Sequence, residues 1–524
     1  MPMGNMTMPM LPGMASYVPP LTPFLPGMGV DINTLPMVQP REVHELTDGD
    51  TLALDARLVR KAINGRSFVM YGFNGQHPGP LIRVREQVTI VIVFTNHLDL
   101  PTTVHWHGLR LDNRFDGVPG LTQEPVQPGE TFTYRVFFPD PGIFWYHPHV
   151  REDIQQELGL YGNMLVESAD PAYYSPVNRE EFLILDDLLL DGDAMVPFGL
   201  EAGNYTLMGR FGNLFLINGE PEYELTVNRG DVVRMYLTNV ANTRVYNLVF
   251  GDAPMKVVGA DVGKFEREEW VKSVVIAPAQ RYVVEARFER PGRFPITNRV
   301  QAIDHFLGEF YPAVDTIGFV TVQGQSSAQD HSATFDVLRE NDDVIADIDR
   351  YRPHFDRSPD QELVLSVQIG DLPQAVVQFM SIDTTYYPPV EWSDAMPMMN
   401  WVSNGRNVKW VVRDADTGAE NMDISWEFAA GDIVKIRLFN DPNALHPMSH
   451  PIHLHGQRFL VVARNGLPNR NLVWKDTVLV PVGSTVDILL DVTNPGAWML
   501  HCHIAEHLEA GMMSTFTVTG ASGN

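Results

Sequence analysis

The sequence predicts an all-β protein made of three homologous domains, and three observations carry that prediction. Short β-branched and aromatic runs, punctuated by Gly, Pro, Asn and Asp, fill the 524 residues, and segments of helical period are few. A 13-residue block recurs three times, as VREQVTIVIVFTN at 84–96, VNRGDVVRMYLTN at 227–239 and FAAGDIVKIRLFN at 428–440. A second block follows each copy: PGIFWYHPH at 141–149, PGRFPITNR at 291–299 and PGAWMLHCH at 495–503. Internal repetition of this kind marks repeated structural units more strongly than local propensity does.

Each 13-residue block has a turn near its start and then alternating apolar positions, so each reads as a turn leading into a half-buried strand. Domain boundaries follow near 42–170, 178–325 and 360–524, with an acidic, polar linker over 326–359. Length agrees, since a single core stops growing at roughly 250–300 residues. Ahead of the first domain, residues 1–41 form an arm in which Met1, Met3, Met6, Met8, Met10, Met14 and Met28 sit among many Pro and Gly. That composition predicts a disordered or extended segment. Thioethers suit Cu(I), so copper gathering is one reading of the arm and a merely biased tail the other. The arm has no basic region followed by an apolar stretch, so it is not an intact signal peptide.

With 44% hydrophobic and 20% charged residues the composition is that of a globular protein. The formal net charge of −27 repels nucleic acid and anionic membranes, and neither is expected as a partner. No run reaches the roughly 18 apolar residues of a membrane span. The single cysteine, Cys502, cannot form an internal disulfide, so cysteine usage does not reveal the compartment.

The chemistry lies in the histidines. Of 17, ten fall in four tight groups: His105 and His107; His147 and His149; His450, His453 and His455; and His501, His503 and His507. Residues i and i+2 of a strand share a face, so an HxH pair can offer two imidazoles to one site or to adjacent metals. One such pair is commonly plain polar surface. Here the pairs stand at equivalent positions of the outer repeats, whereas the middle repeat has Thr297 and Arg299, and Leu248-Val249-Phe250-Gly251 where the others have HWHG and HLHG. The middle domain therefore reads as a spacer holding the outer pair face to face. Cys502 is followed by His507 and Met512, and His450 belongs to the same domain. Two imidazoles, a thiolate and a weak thioether make a blue-copper electron-transfer site; zinc gains little from the thioether. A thiolate held by metal leaves little room for a nucleophilic role.

On HWHG, HPH, HPIHLHG and HCHIAEHLEAGMM, the chain resembles the multicopper oxidases, the family of laccases, bacterial copper oxidases and ceruloplasmin. The resemblance covers nearly the whole chain apart from the arm and the linker. It implies three cupredoxin-like Greek-key β-barrels and four copper ions. The type 1 ion would take His450, Cys502 and His507 with Met512 axial, and the type 2 ion His105 and His453. The type 3 pair would take His107, His147 and His503, and His149, His455 and His501. The cluster then sits between domains one and three, and Cys502 with its neighbours His501 and His503 forms a covalent path from electron entry to O₂. Asp116, in RFDGVPG, matches the acid that the family uses as a proton donor near the type 2 ion; the plainer reading is an Asp-Gly turn.

The chain also departs from the family. Bacterial relatives place an acid directly after the second type 1 histidine, where this chain has Leu508. HLEAG is similar to fungal laccases, which lack the axial methionine. Glu506 and Glu509 are the remaining candidates for a second proton relay. The implied activity is laccase-like oxidation of phenols and aromatic amines with O₂ as acceptor, in the periplasm or secreted. The alternative is a metallo-oxidase for Cu(I), Fe(II) or Mn(II). Met396, Met398 and Met399 would then form a soft Cu(I) site, although methionine also fills core gaps. A third class, a non-catalytic copper-binding or structural relative, would show missing motif histidines, and none is missing. Trp106 and Trp498 read as packing, and His446 as a supporting contact near His450.

Overall fold

Each 13-residue block delivers one central strand, and that strand has the same neighbours in all three copies. Val88–His97 pairs parallel with Thr51–Ile63 and antiparallel with Thr131–Phe138. Val232–Asn239 pairs in the same senses with Arg179–Leu188 and Arg281–Arg287. Ile433–Asn440 does so with Gln361–Ile369 and Thr485–Asp491. The asparagine closing each block also repeats its bonds. Asn96 Nδ2 donates to the Leu100 and Val126 carbonyls at 2.9 and 2.8 Å. Asn239 Nδ2 donates to those of Arg244 and Ile276 at 2.7 and 2.9 Å, and Asn440 Nδ2 to those of Met448 and Val480 at 2.7 and 2.9 Å. A buried carboxamide satisfies two loop carbonyls each time, so the sequence repeat is also a repeat of hydrogen bonding.

The computed structural model describes residues 23–200, 202–304, 309–370, 390–392 and 408–520. Met396, Met398 and Met399, and the arm methionines up to Met14, lie outside the described residues. The described chain is all-β, as expected. Five- and four-stranded sheets enclose a first core around Trp106 and Tyr134. Two six-stranded sheets enclose a second around Leu237 and Phe250. Seven- and five-stranded sheets enclose a third around Trp410, Phe459 and Trp498. The helices are short: α1 (Glu152–Gln155), α2 (Ala202–Met208), α3 (Ser332–Phe335), α4 (Asp342–Asp349) and α5 (Ala505–Glu509). Among the described residues no helix is long and apolar enough to cross a membrane.

One expectation changes on contact with the structure. Val232–Asn239 is buried at every position rather than on one face, because Tyr236, with Val283, packs outward against Leu81, Ile143 and Leu165 of the first repeat. The linker 326–359 is packed against its neighbours at several points. Val344 and Phe355 pack on the first core, Lys264 pairs with Asp343 at 3.0 Å, and Trp474 Nε1 donates to Asp347 at 2.8 Å. Residues 24–39 of the arm pass through a turn at 26–29 and a short 3-10 helix at Ile32–Thr34, with Phe24 bridged to Phe198, Met37 to Arg60 and Gln39 to Gln76.

Candidate metal centre

Strand register brings the histidines together. His105 stands opposite His147, and His107 opposite Trp145, while Trp106 pairs with Tyr146. His453 stands opposite His501, and Ile452 opposite Cys502. Cross-strand partners share a face. The imidazoles therefore line one side of each sheet, and Trp106 and Cys502 point into the first and third cores. Within each of three groups, ligand atoms then lie within 4.8 Å of one another: His105, His107 and His453; His107, His147 and His503; and His149, His455 and His501. These are all eight imidazoles expected of a cluster shared by the outer repeats. Each is buried.

The hydrogen bonds decide which nitrogen faces inward. A carbonyl oxygen can only accept, so an imidazole nitrogen bonded to one carries the proton and leaves the other nitrogen bare. Nδ1 donates to the Asp116 carbonyl from His105 (2.7 Å), to the Pro148 carbonyl from His147 (2.8 Å), to the Asp476 carbonyl from His453 (2.9 Å) and to the Cys502 carbonyl from His501 (2.9 Å). His455 Nδ1 donates to Asp116 Oδ2 at 2.8 Å, and His149 Nδ1 lies 3.1 Å from Glu152 Oε1. The buried Nε2 atoms of His105, His147, His149 and His453 have no partner. Those of His455 and His501 face each other at 3.1 Å. Bare nitrogens converging in this way fit cations. Burial first, and neighbouring imidazoles second, push His107, His147, His149, His453 and His501 well below the ordinary histidine range. Those imidazoles are therefore neutral at pH 7 and able to act as ligands.

A second, sulfur-containing group lies across the strand. Cys502 Sγ is 3.5 Å from His450 Nδ1 and 3.9 Å from His507 Nδ1, and those nitrogens are 3.3 Å apart. Burial pushes the Cys502 thiol up and His450 down to about 3. A thiolate here therefore needs a metal ion to hold its charge. Met512 is buried in the same core, and its carbonyl accepts the Cys502 N–H at 3.0 Å. The Trp410 ring stacks on His507 at 3.8 Å between centroids, and its Nε1 donates to the Thr206 carbonyl at 2.7 Å. His507 Nε2 lies 3.4 Å from the Leu207 carbonyl. Thus α2 covers His507. His446 is buried near His450 and opposes a charge on it.

The acids are arranged around both groups. Burial raises the Asp116 carboxyl, but His455 and His105 outweigh this and hold it below the usual carboxylate range. Glu506 is buried, accepts from Thr243 Oγ1 at 3.1 Å and is pushed up to about 7, chiefly by burial. Glu506 and Glu509 line an open cleft of about 260 Å³ with Arg151, Asp153, Tyr205 and Arg210. Sequence reasoning missed Glu152, Asp476, Arg281 and Trp410. Only Glu152 had a local signal, an acid three residues after His149.

The glycine of HLHG has a steric reason. A Cβ on Gly456, at φ +64°, would lie 2.3 Å from the Trp498 ring, which is itself fixed by Nε1 donating to the Asn494 carbonyl at 2.9 Å. Gly456→Ala is expected to cost about 2–5 kcal/mol from overpacking and the left-handed backbone together. A thermal melt of the variant checks this; an unchanged midpoint would contradict the packing described.

Comparison with known proteins adds an independent line. Models described as multicopper oxidase match residues 59–171, 186–310 and 392–522. Iron transport multicopper oxidase fetC of Epichloe festucae is 27% identical over 470 residues, covering 85% of this chain and 72% of that protein. Laccase-1 of Cryptococcus neoformans var. grubii is 26% identical over 537 aligned positions, covering 92% of this chain and 82% of that protein. The crystal structure of a multi-copper oxidase from Pseudomonas thermotolerans superposes with a TM-score of 0.65 at 25% identity, covering 91% of this chain and 100% of that one.

Proposed function

Because the chain belongs to the multicopper oxidase family, copper-dependent oxidoreductases that use O₂ as acceptor, we propose that it is a laccase-like oxidase of phenols and aromatic amines. In this reading four copper ions would be held: one by His450, Cys502 and His507 with Met512, one by His105 and His453, and a pair by His107, His147 and His503 and by His149, His455 and His501. When bound, these ions supply the redox capacity, single-electron uptake at the sulfur site and four-electron reduction of O₂ to water at the other three. The observation that carries the proposal is the alternation along 501–503. Cys502 faces one group of donors while His501 and His503, its covalent neighbours, face the other.

The chain's own residues account for the rest. Burial of every ligand excludes bulk water from both groups. Asp116, ionised, accepts the His455 Nδ1 proton through Oδ2 and the His105 Nδ1 proton through its carbonyl, and so holds both rings with Nε2 turned inward. Glu506, held near 7 beside the cleft, is poised to exchange protons with solvent. The reading goes with an extracytoplasmic location, periplasmic or secreted.

One feature favours a second reading, a metallo-oxidase for Cu(I), Fe(II) or Mn(II). His507 is fully buried beneath α2 and Trp410, so a phenol cannot touch its edge unless α2 moves. The cleft beside α5 carries three carboxylates, Asp153, Glu506 and Glu509, against two guanidiniums, Arg151 and Arg210, an excess of acid that suits a cation. Steady-state oxidation of a methoxyphenol and of Cu(I) separates the two. Saturable phenol turnover that survives Glu509→Gln supports the laccase reading. A roughly tenfold rise in KM for Cu(I) in that variant, equivalent to about 1.4 kcal/mol, with negligible phenol oxidation, decides for the metal ion. No turnover of either by fully copper-loaded protein would leave the third class, a non-catalytic copper-binding relative.

A further inference from the structure

We infer that Arg281 and Asp476 form a clamp that positions His107 with Nδ1, rather than Nε2, toward the three-ion cluster; this rests on the copper reading above. His105, His147, His149, His453, His455 and His501 all turn Nδ1 outward. His107 is reversed. Its Nε2 lies 3.1 Å from Asp476 Oδ1 and 3.1 Å from Thr477 Oγ1, and its buried Nδ1 has no partner. A carboxylate can only accept, so Nε2 carries the proton and Nδ1 is the bare donor.

Asp476 can impose this because it is itself immobilised. Arg281 grips both carboxylate oxygens, Nη1 to Oδ1 at 2.7 Å and Nη2 to Oδ2 at 2.6 Å, and Thr477 Oγ1 adds a third bond at 2.8 Å. The guanidinium is wholly buried and also donates to the carbonyls of Ile143 at 2.9 Å and Ala279 at 3.0 Å. One side chain thus joins all three repeats, with Ile143 from the first, Arg281 from the second and Asp476 from the third. Behind it, Asp261 accepts the Arg281 N–H at 2.8 Å and pairs with Lys475 at 2.9 Å, which balances two acids against two bases. The middle repeat, read from the sequence as a spacer, therefore reaches a ligand through this pair.

Two further observations converge on Asp476. Its main-chain carbonyl fixes His453 in the opposite sense, Nδ1 outward at 2.9 Å, and the His107 and His453 rings stack at 3.7 Å with 17° between planes. One residue sets two stacked imidazoles in opposite tautomers, by side chain and by backbone. The glycine of HWHG is kept bare for the clamp: at φ +85°, a Cβ on Gly108 would lie 2.4 Å from Asp476 Oδ2 and 2.9 Å from Arg281 Nη2. A bidentate fork is specific to arginine, so lysine cannot replace it.

Asp476→Asn keeps the backbone carbonyl that holds His453 but removes the negative charge and one of the two acceptor oxygens, so the side chain can no longer accept from both Arg281 nitrogens and hold His107 Nε2 as the carboxylate does. The copper-loaded variant is expected to release cluster copper to a chelator about 10–100-fold more readily, the usual cost of losing a partner behind a metal ligand. It should also lose the near-ultraviolet absorption of the coupled pair while keeping the blue band of the Cys502 site. Arg281→Lys is expected to fall between variant and parent. Where an unpaired buried charge prevents folding, the double variant Arg281→Gln/Asp476→Asn removes both charges and is read in the same way. Parental copper retention and near-ultraviolet absorption in either Asp476 variant overturns the inference. So does equal loss of the blue band and of cooperative melting, which marks a purely structural ion pair. A parent protein with fewer than four coppers defeats the copper reading instead, and the two failures are distinct.

Discussion

Serine in place of Cys502 abolishes the blue absorption and reduces substrate oxidation to the background rate, while the copper-free fold persists. The hydroxyl is a poor copper ligand at neutral pH, and no other thiol exists in the chain to take its place. Cys502 Sγ stands within 3.9 Å of both His450 and His507 nitrogens, so its loss dismantles the sulfur-containing group and the covalent route through His501 and His503 together. The fold should lose only about 1–2 kcal/mol, the cost of placing a hydroxyl in an apolar interior. Absorption spectra, turnover with a methoxyphenol and melting of the metal-free variant test the three parts. Turnover near the parental rate would refute the route.

Copper removal should produce the second large effect, a marked loss of stability that deepens in acid. An ion that binds only the folded state stabilises it by about 4 kcal/mol when present at a thousand times its dissociation constant, and several ions share this pocket in the proposed reading. The acid dependence follows from the imidazoles. In the metal-free fold His450 and His503 are held down to about 3 and His455 to about 4, in each case chiefly by burial. In the unfolded chain they titrate near the ordinary value of about 6.5. The folded state therefore binds fewer protons than the unfolded state between these limits. Stability is fully present above pH 6.5 and is lost as pH falls toward 4 and then 3, by up to about 1.4 kcal/mol per pH unit for each imidazole. Chelator-treated protein melted at pH 7.5, 6 and 5 should show midpoints dropping in that order and recovering on copper addition. A flat or rising profile toward acid would contradict the buried, neutral cluster.

The centre was legible in the chain wherever a metal imposes short spacing. The HxH pairs, Cys502 with His507, and Asp116 all reveal themselves within a dozen residues, because adjacent strand positions must reach one pocket. The repeat was legible for a related reason: Asn96, Asn239 and Asn440 satisfy the same pair of loop carbonyls, which preserves the block around them. What lay hidden were contacts between distant segments. Arg281 meets Asp476 across 195 positions and His107 meets Asp476 across 369, and no local pattern announces either. The cover over His507 is similar, since α2 comes from the second repeat and the ligand from the third. The burial of strand 232–239 was misread for the same reason, because what packs on its outer face comes from the first repeat.

The stretch His501–His503 has one more consequence. Its side chains alternate sides, so a single residue's thickness of polypeptide separates the sulfur-containing donors from the imidazole cluster. In the proposed copper reading, electrons would cross it along covalent bonds, and the oxidised donor and the reduced oxygen would stay on opposite flanks.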